Sequence, residues 1–175
     1  MRHHFADGEL KILTGRLTIL HDTREQENGH ILGWLESNGI PHKQRSLQTG
    51  DYSIVLPACP ELGLHRDTYF NAAVERKSSI DELVGTVKDR TRFENELIRG
   101  RQLEWFALLV EDGDGYSKIV RGDYRSRYEP NALLASLAAL SLRYGCPVHF
   151  IPKEQAARWI RSHLHWFALE RLRRP

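Results

Sequence analysis

The amino-acid sequence predicts a single α/β domain, and three observations support this fold class. Short apolar runs of strand length alternate with segments whose apolar residues recur at helical spacing. The run WFALLV at 105–110 is apolar without alternation, which is typical of a central strand covered on both faces. No internal repeat or low-complexity linker divides the 175 residues, and this length suits one domain.

The first half of the chain is predicted to contain one helix and four strands. Residues 1–16 are expected to form a flexible N-terminal segment, so the domain is predicted to span 17–175. Ile31, Leu32 and Leu35 recur at helical spacing and predict a helix over 28–38, which Gly39 ends. The predicted strands are 17–20, 42–47, 52–56 and 68–74, with a hairpin connection at 48–50 and a loop at 57–66.

The second half is predicted to alternate helices with strands. Ser79 followed by Glu82 has the capping-box form and predicts the start of a helix. Pro130 in a first-turn position and Gly145 as terminator bound a longer helix. The remaining predicted elements are a helix at 92–98, a strand at 105–110, a turn or loop at 112–115, a strand at 146–151 and a final helix at 153–173.

Composition narrows the class of protein. The 25 Lys and Arg residues nearly balance the 23 Asp and Glu residues, so bulk charge does not indicate a nucleic-acid-binding protein. We find neither a signal-peptide pattern nor a membrane-spanning run, and we expect a cytoplasmic protein, nucleoid-associated if prokaryotic. Cys59 and Cys146 are too few for a disulfide framework, so two reduced thiols are expected.

Charged residues stand at the ends of three apolar runs. The three clusters are Asp22-Thr23-Arg24-Glu25, Gly50-Asp51-Tyr52 and Glu75-Arg76-Lys77. Functional groups of α/β proteins collect at strand ends and in the loops beyond them. We therefore expect the three clusters to converge on one edge of the sheet.

The residue types in these clusters suit metal-assisted hydrolysis of a phosphodiester. Oxygen ligands from Asp51 and Glu75 would hold Mg²⁺ or Mn²⁺ and leave positions for water and a phosphate oxygen. In a strand, Glu75 and Lys77 project to the same face, whereas Arg76 projects to the opposite face. Lys77 could orient the attacking water, assist its deprotonation or stabilise negative charge at phosphorus. The backbone carbonyl of Arg76 remains available to a metal.

The ordered motifs resemble those of a known family. D-T-R-E at 22–25, G-D-Y at 50–52 and V-E-R-K-S-S-I-D at 74–81 resemble the XPF-type structure-specific endonucleases, whose signature is G-D followed by E-R-K-x-x-x-D. The resemblance extends from about Leu17 to the final helix and includes the segment YEPNALLASLAAL at 128–140. It implies a restriction-endonuclease-like core, with a central mixed β-sheet flanked by α-helices.

The resemblance also implies roles for individual residues. Asp22, Asp51 and Glu75 would surround the Mg²⁺ or Mn²⁺ ion, and Lys77 would serve the attacking water. The Arg76 carbonyl would be a backbone ligand. The site would be supported by Arg24, Glu25, Arg76 and Asp81. Two of these assignments have simpler alternatives, since Asp81 could only stabilise the first turn of a helix and Arg24 and Glu25 could form a plain surface ion pair.

Two features depart from the family pattern. Asp51 and Glu75 are separated by 23 residues, where compact relatives have a short hairpin. The sequence also contains no segment for a helix-hairpin-helix pair or a helicase domain, so a stand-alone nuclease domain is expected. Lys88, Arg90 and Arg92 form a basic run beside the proposed site, which could contact DNA phosphates or be a solvated helix face.

The sequence therefore predicts a metal-dependent DNA endonuclease that cuts near branches, flaps or single-strand/duplex boundaries, in DNA repair, recombination or replication. Since relatives pair, a homodimer or heterodimer is expected. One alternative is a DNA-binding partner subunit that keeps the fold without cutting. Another is an RNA-directed or restriction-type nuclease on the same core.

Overall fold

The structure is a computed structural model and describes residues 5–174. The chain divides into two compact units. Among the described residues, unit 1 comprises 5–72 together with 157–174, and unit 2 comprises 73–156. Within the described range, no helix has both the length and the apolar character needed to cross a lipid bilayer.

Seven helices and seven strands are assigned in the described part of the chain, together with two short 3-10 turns at Pro60–Leu62 and Lys153–Gln155. In chain order they are α1 (Asp7–Gly15), β1 (Thr18–His21), α2 (Gly29–Ser37), β2 (His42–Gln44), β3 (Tyr52–Leu56), β4 (Thr68–Tyr69), β5 (Ala72–Lys77), α3 (Ile80–Lys88), α4 (Arg90–Gly100), β6 (Trp105–Val110), α5 (Gly115–Arg121), α6 (Pro130–Tyr144), β7 (Val148–Phe150) and α7 (Ala156–Arg173).

Within unit 1, strand β1 is paired on both sides. It runs parallel to β2, with Ile19 opposite His42, and antiparallel to β3, with Leu20 opposite Ser53. The predicted hairpin between β2 and β3 is therefore wrong, because β1 lies between the two strands. The connecting residues pass around the end of β1 instead, where the Arg45 N–H donates to the His21 carbonyl at 2.9 Å.

The N-terminal segment departs from the flexible segment expected over residues 1–16. Residues 7–15 form helix α1, since Leu10 and Leu13 are three positions apart and both are buried. The Glu9 carboxylate accepts a hydrogen bond from the Ala6 N–H at 2.8 Å and caps the first turn. Residues 1–4 of the expected segment lie outside the described residues.

Unit 2 has the strand order β5-β6-β7, and β6 and β7 run parallel. One apolar cluster joins helices to strands there, with Leu83, Phe93, Leu108 and Leu133 among its buried members. The predicted start of α3 at Ser79 is confirmed, since the Ser79 hydroxyl accepts from the Glu82 N–H, while the Glu82 carboxylate accepts from the Ser78 N–H and completes only half of the predicted capping box. These contacts hold α3 and α4 beside the strand that carries the Glu-Arg-Lys motif.

The turn predicted at 112–115 leads directly into helix α5, which was not predicted from the sequence. Gly115 permits close packing here, because a Cβ at this position would lie 2.4 Å from the Phe150 ring. Lys118 donates to Asp112 at 2.7 Å and ties the helix to the preceding turn. The buried side chain of Ile119 joins the unit 2 core.

Candidate active site

The Glu-Arg-Lys motif occupies the end of β5, and all six residues of this strand are buried. Strand alternation directs Glu75 and Lys77 to one face, as predicted. The Lys77 Nζ donates to the Glu75 Oε1 at 2.6 Å. A carboxylate and an ammonium group are thus held side by side with little access to water.

The Arg76 side chain projects from the opposite face of the same strand, also as predicted. Its guanidinium donates to the Glu111 Oε2 at 2.9 Å, and the two side chains are 5% and 0% exposed. The Glu111 N–H donates in turn to the Lys77 carbonyl at 2.8 Å. Glu111 was not among the predicted site residues, although it directly follows the apolar run of β6 and so lies at a strand end like the predicted acids.

A second missed acid lies on the Glu75 face. Glu96 is on α4, and its Oε1 is 3.9 Å from the Lys77 Nζ. Glu96 lies three positions after Phe93 and one before Leu97, both of which are buried. Its position on the inward face of a predicted helix was the signal that could have identified it.

Burial and neighbouring charge alter the chemistry of Glu75. The pKa of the Glu75 carboxyl is raised to about 8, because burial and the neighbouring Glu96 carboxylate raise it by more than the Lys77 ammonium lowers it. The neutral and charged forms of this carboxyl are therefore both accessible near neutral pH. A positive charge entering beside it would favour the carboxylate.

A cavity of about 400 Å³ opens on this face of unit 2. Its lining includes four acidic side chains and two basic ones, namely Glu75, Glu82, Asp89 and Glu96 with Lys77 and Arg92. The acidic excess favours entry of a cation and opposes entry of a phosphate on its own.

The Asp22 cluster lies in unit 1 at the end of β1. The Asp22 carboxylate is fully buried and accepts from the Leu47 N–H at 2.5 Å, the Arg24 N–H at 2.9 Å and the Arg24 Nε at 2.6 Å. Burial alone would raise the pKa of Asp22, but the hydrogen bonds from Arg24 and Leu47 outweigh it and lower the pKa. The Asp22 N–H also donates to the Asp51 carbonyl at 2.8 Å, so the first two motifs are adjacent.

The remaining predicted residues have other environments. The Glu25 N–H donates to the Asp22 carbonyl at 3.2 Å, which keeps Glu25 beside the same turn. The Asp81 Oδ1 accepts from the Arg125 N–H at 2.8 Å and so fastens a loop to the start of α3. In the predicted DNA-binding run Lys88, Arg90 and Arg92 are exposed, and Arg90 pairs with Glu94 at 2.6 Å.

The structure thus brings together Asp22, Arg24, Glu25 and Asp51 in unit 1, and Glu75, Lys77 and Glu96 in unit 2. Convergence of Asp51 and Glu75 on one ion stays a prediction. Among residues 5–174, no group of three or more His, Cys, Asp or Glu side chains is arranged to hold a metal ion.

A divalent ion does not require three such side chains. Mg²⁺ is usually bound through one or two carboxylates, several waters and substrate phosphates. Glu75 and Glu96 offer two hard oxygen donors on one cavity, and the buried Glu96 Oε1 has no hydrogen-bond partner among the described residues. The donor set of unit 2 therefore fits Mg²⁺ or Mn²⁺.

Known proteins are similar to this chain in both sequence and structure. The sequence model of the ERCC4 domain matches residues 21–163. XPF from Aeropyrum pernix is similar in structure, with a TM-score of 0.63 and 25% sequence identity, over 86% of this chain and 65% of that one. The same protein in complex with DNA gives a TM-score of 0.61 and 25% identity, over 89% of this chain and 66% of that one.

This chain therefore spans 65% and 66% of the two solved chains. No curated protein matches the sequence. The structural likeness confirms the predicted fold class, a restriction-endonuclease-like α/β core with a mixed sheet and flanking helices.

Proposed function

The chain belongs to the ERCC4 domain family, and from this premise we propose that it is a divalent-metal-dependent DNA endonuclease. Its proposed substrates are branched, flap or single-strand/duplex junction structures that arise in DNA repair, recombination or replication. A similar protein has been solved in complex with DNA. The observation that carries the proposal is the buried Glu75–Lys77 pair, which lines a polar cavity with an excess of acids.

The burial of this pair favours a functional interpretation over a stabilising one. Removing two charges from water opposes folding, and a buried ion pair is often no more stabilising than apolar residues of similar volume. Glu75 and Lys77 nevertheless occupy the end of a buried strand and face a cavity. Perturbed ionisable groups beside a cavity are typical of catalytic sites.

The proposed roles follow the chemistry of each group. Asp22, Asp51 and Glu75 would supply carboxylate oxygens to Mg²⁺ or Mn²⁺, with the Arg76 carbonyl as a further ligand. When bound, the ion supplies Lewis-acid stabilisation of negative charge on the phosphate. Lys77 would hold the attacking water and stabilise charge at phosphorus. Supporting positions are proposed for Arg24, Glu25, Arg76 and Asp81.

Metal dependence is supported by the charges around the cavity. A phosphodiester carries a negative charge, and four carboxyl side chains face the cavity against Lys77 and Arg92. Repulsion would oppose substrate entry unless added positive charge offsets the acidic excess. We therefore expect weak binding of the scissile phosphate without a divalent ion.

We also propose that the chain forms a dimer, as the family resemblance led us to expect. An apolar groove of about 460 Å³ on unit 2 supports this, lined by side chains of α6 and β7 together with Tyr116. Tyr116 is 60% exposed, although it is a large aromatic residue. Exposed apolar surface of this kind is typical of a protein–protein interface.

The decisive experiment is a cleavage assay on labelled flap, fork, linear duplex and single-stranded DNA, with Mn²⁺ or with chelator. Asp51→Asn and Lys77→Ala should each reduce cleavage by about 100-fold or more. Matched controls are Glu154→Gln and Lys153→Ala, two exposed positions in a 3-10 turn, which should cut like the wild type.

Three results would contradict the proposal in different ways. Cleavage that continues in chelator would exclude metal dependence. DNA binding without cutting, unchanged by Asp51→Asn and Lys77→Ala, would indicate a partner subunit that only binds. Cleavage of RNA with indifference to DNA would indicate an RNA-directed nuclease on the same core.

A further inference from the structure

A second cavity, of about 160 Å³, lies within unit 1 and is lined by none of the predicted site residues. Part of its wall is apolar and comes from Ile19 on β1, Ile54 on β3 and Pro41 before β2. Arg161 and His165, both on α7, are the ionisable side chains among the described residues that line it. The cavity therefore combines an apolar wall with two basic groups and has no acidic side chain in its described lining.

Arg161 and His165 lie one helical turn apart and face the same cavity. Within residues 5–174, neither side chain has a hydrogen-bond or ion-pair partner, and His165 has only an edge-to-face contact with the Trp166 ring. Both residues are partly buried, although solvent can still reach them. Partly buried polar groups are usually paired, so two basic groups without an acceptor indicate that an anion is missing.

Stabilisation of helix ends is the competing explanation for Arg161. The last turn of α1 and the residues after α2 border the cavity, and a positive charge is favourable near the C-terminus of a helix. Backbone donors already serve these ends, since the Leu13 carbonyl accepts from the Arg16 N–H and the Glu36 carbonyl accepts from the Gly39 N–H, each at 3.0 Å. Arg161 donates to neither carbonyl, so its guanidinium remains available to a ligand.

The surroundings of His165 favour an anion as well. Burial, and then the nearby Arg161 guanidinium, lower the pKa of His165. The neutral imidazole is therefore favoured near neutral pH, and it has one N–H to donate. An anion beside the ring would stabilise the imidazolium, so anion binding should be coupled to uptake of a proton.

We propose that Arg161 and His165 form a binding site for a phosphate group, with the uncharged part of the ligand in the apolar cavity. The planar guanidinium offers two parallel N–H donors to phosphate oxygens, and His165 offers a third donor. A phosphate monoester presents three free oxygens, whereas a carboxylate presents two, so phosphate matches this donor set better. A free nucleotide or the terminal phosphate of a DNA strand would supply such a group. This site uses none of the proposed catalytic residues and does not rest on the proposed function.

Calorimetry with inorganic phosphate and with sulfate tests the site in the full chain. Arg161→Gln removes the charge and the fork of donors, and it should weaken binding of both anions by about 10- to 100-fold. Arg161→Lys keeps the charge without the planar fork and should bind with intermediate affinity. The matched control is Arg158→Gln, an exposed position of α7 outside the cavity, which should bind like the wild type. Thermal melts establish that each variant is folded.

The pH dependence of sulfate binding tests the role of His165. Sulfate keeps its double negative charge throughout the neutral range, so a change in affinity reports a protonation of the protein. The affinity of the wild type should rise as the pH falls from about 8 to about 5.5, because the imidazolium binds an anion more strongly than the neutral ring does. His165→Gln should show no such rise.

The source of the phosphate is identified by comparing a nucleoside monophosphate with single-stranded DNA that carries or lacks a terminal phosphate. Tighter binding of the phosphorylated strand would identify a DNA end, and binding of the nucleotide alone would identify a free ligand. The proposal would be overturned if the wild type showed no saturable binding of either inorganic anion. Equal weakening in Arg161→Gln and Arg158→Gln would also overturn it, since this would indicate general attraction to a basic helix. If Arg161→Gln melts at a lower temperature but binds both anions like the wild type, Arg161 only stabilises the helix ends.

Discussion

The Arg76 guanidinium and the Glu111 carboxylate form an ion pair at 2.9 Å with almost no exposure to water. Arg76 lies in the Glu-Arg-Lys motif and Glu111 follows the end of β6, so the pair joins two strand ends of unit 2. Its position behind Glu75 and Lys77 makes it a support for the strand that carries them.

Breaking this pair should destabilise the protein strongly. Glu111→Leu removes one partner and leaves the Arg76 charge buried, and we expect a loss of about 3–5 kcal/mol in the free energy of unfolding. The double variant Arg76→Met/Glu111→Leu should lose less than Glu111→Leu alone, because no charge is left behind. Denaturant unfolding of the single and double variants measures the difference, and equal losses would show that the pair is not coupled.

Glycine positions should respond to substitution according to the space beside them. A Cβ at Gly100 would lie 2.2 Å from the Phe106 ring, so Gly100→Ala should destabilise unit 2 by about 1–3 kcal/mol. Gly33 lies inside α2 with no atom within 4 Å of a built Cβ, so Gly33→Ala should stabilise the protein by about 0.5–1 kcal/mol. Thermal melts of both variants measure these effects. Melting temperatures that shift in the same direction would contradict the packing described for Gly100.

Local sequence was informative where one element determined the geometry. Strand alternation placed Glu75 with Lys77 and turned Arg76 away, and the S-x-x-E pattern located the start of α3. These relationships extend over two or three residues, so the periodicity of a single element is sufficient to predict them.

Relationships between elements were harder to predict. The short link between β2 and β3 looked like a hairpin because the sequence does not reveal that β1 pairs with both strands. Glu96 reaches Lys77 only because α4 packs beside β5, a tertiary contact that local periodicity does not specify. Helix α1 was missed since two buried leucines among polar residues give a weak signal.

The thiol of Cys146 should make stability depend on alkaline pH. Burial raises the pKa of Cys146 to about 12 from its ordinary value of 9.0, and nearby Glu96 contributes. The unfolded chain loses the thiol proton first, so the stabilisation is complete below pH 9 and is lost as the pH rises towards 12. Between these two pH values the free energy of unfolding should fall by up to about 1.4 kcal/mol per pH unit.

Urea unfolding of the wild type and of Cys146→Ala between pH 8 and 11 measures this effect. The variant should lose less stability than the wild type over this range. Cys146 in the native protein should also react slowly with iodoacetamide at pH 8.5, since little thiolate is present. Rapid alkylation of the folded chain would contradict the buried environment.

Arg92 should contribute to DNA affinity without affecting sequence preference. It is exposed at the mouth of the cavity that contains Glu75 and Lys77. Arg92→Ala should weaken DNA binding and lower the slope of log K against log salt by about 1, as expected for one phosphate contact. Arg121→Ala is the control, because Arg121 lies on α5 and not on α4, and its guanidinium pairs with the Asp114 carboxylate at 2.8 Å. If the wild type and Arg92→Ala have equal slopes of log K against log salt, Arg92 does not contact a DNA phosphate.

The apolar groove of unit 2 should determine whether the chain forms dimers. Ala138 is an exposed residue of α6 that lines the groove, whereas its neighbour Ala139 is exposed outside it. Ala138→Arg would place a charge in an apolar interface and should shift the chain from dimer to monomer, while Ala139→Arg should remain dimeric. Light scattering coupled to size exclusion distinguishes the two. If both variants behave alike, the contact between copies lies elsewhere, since the two substitutions differ only in the face of α6 that receives the charge.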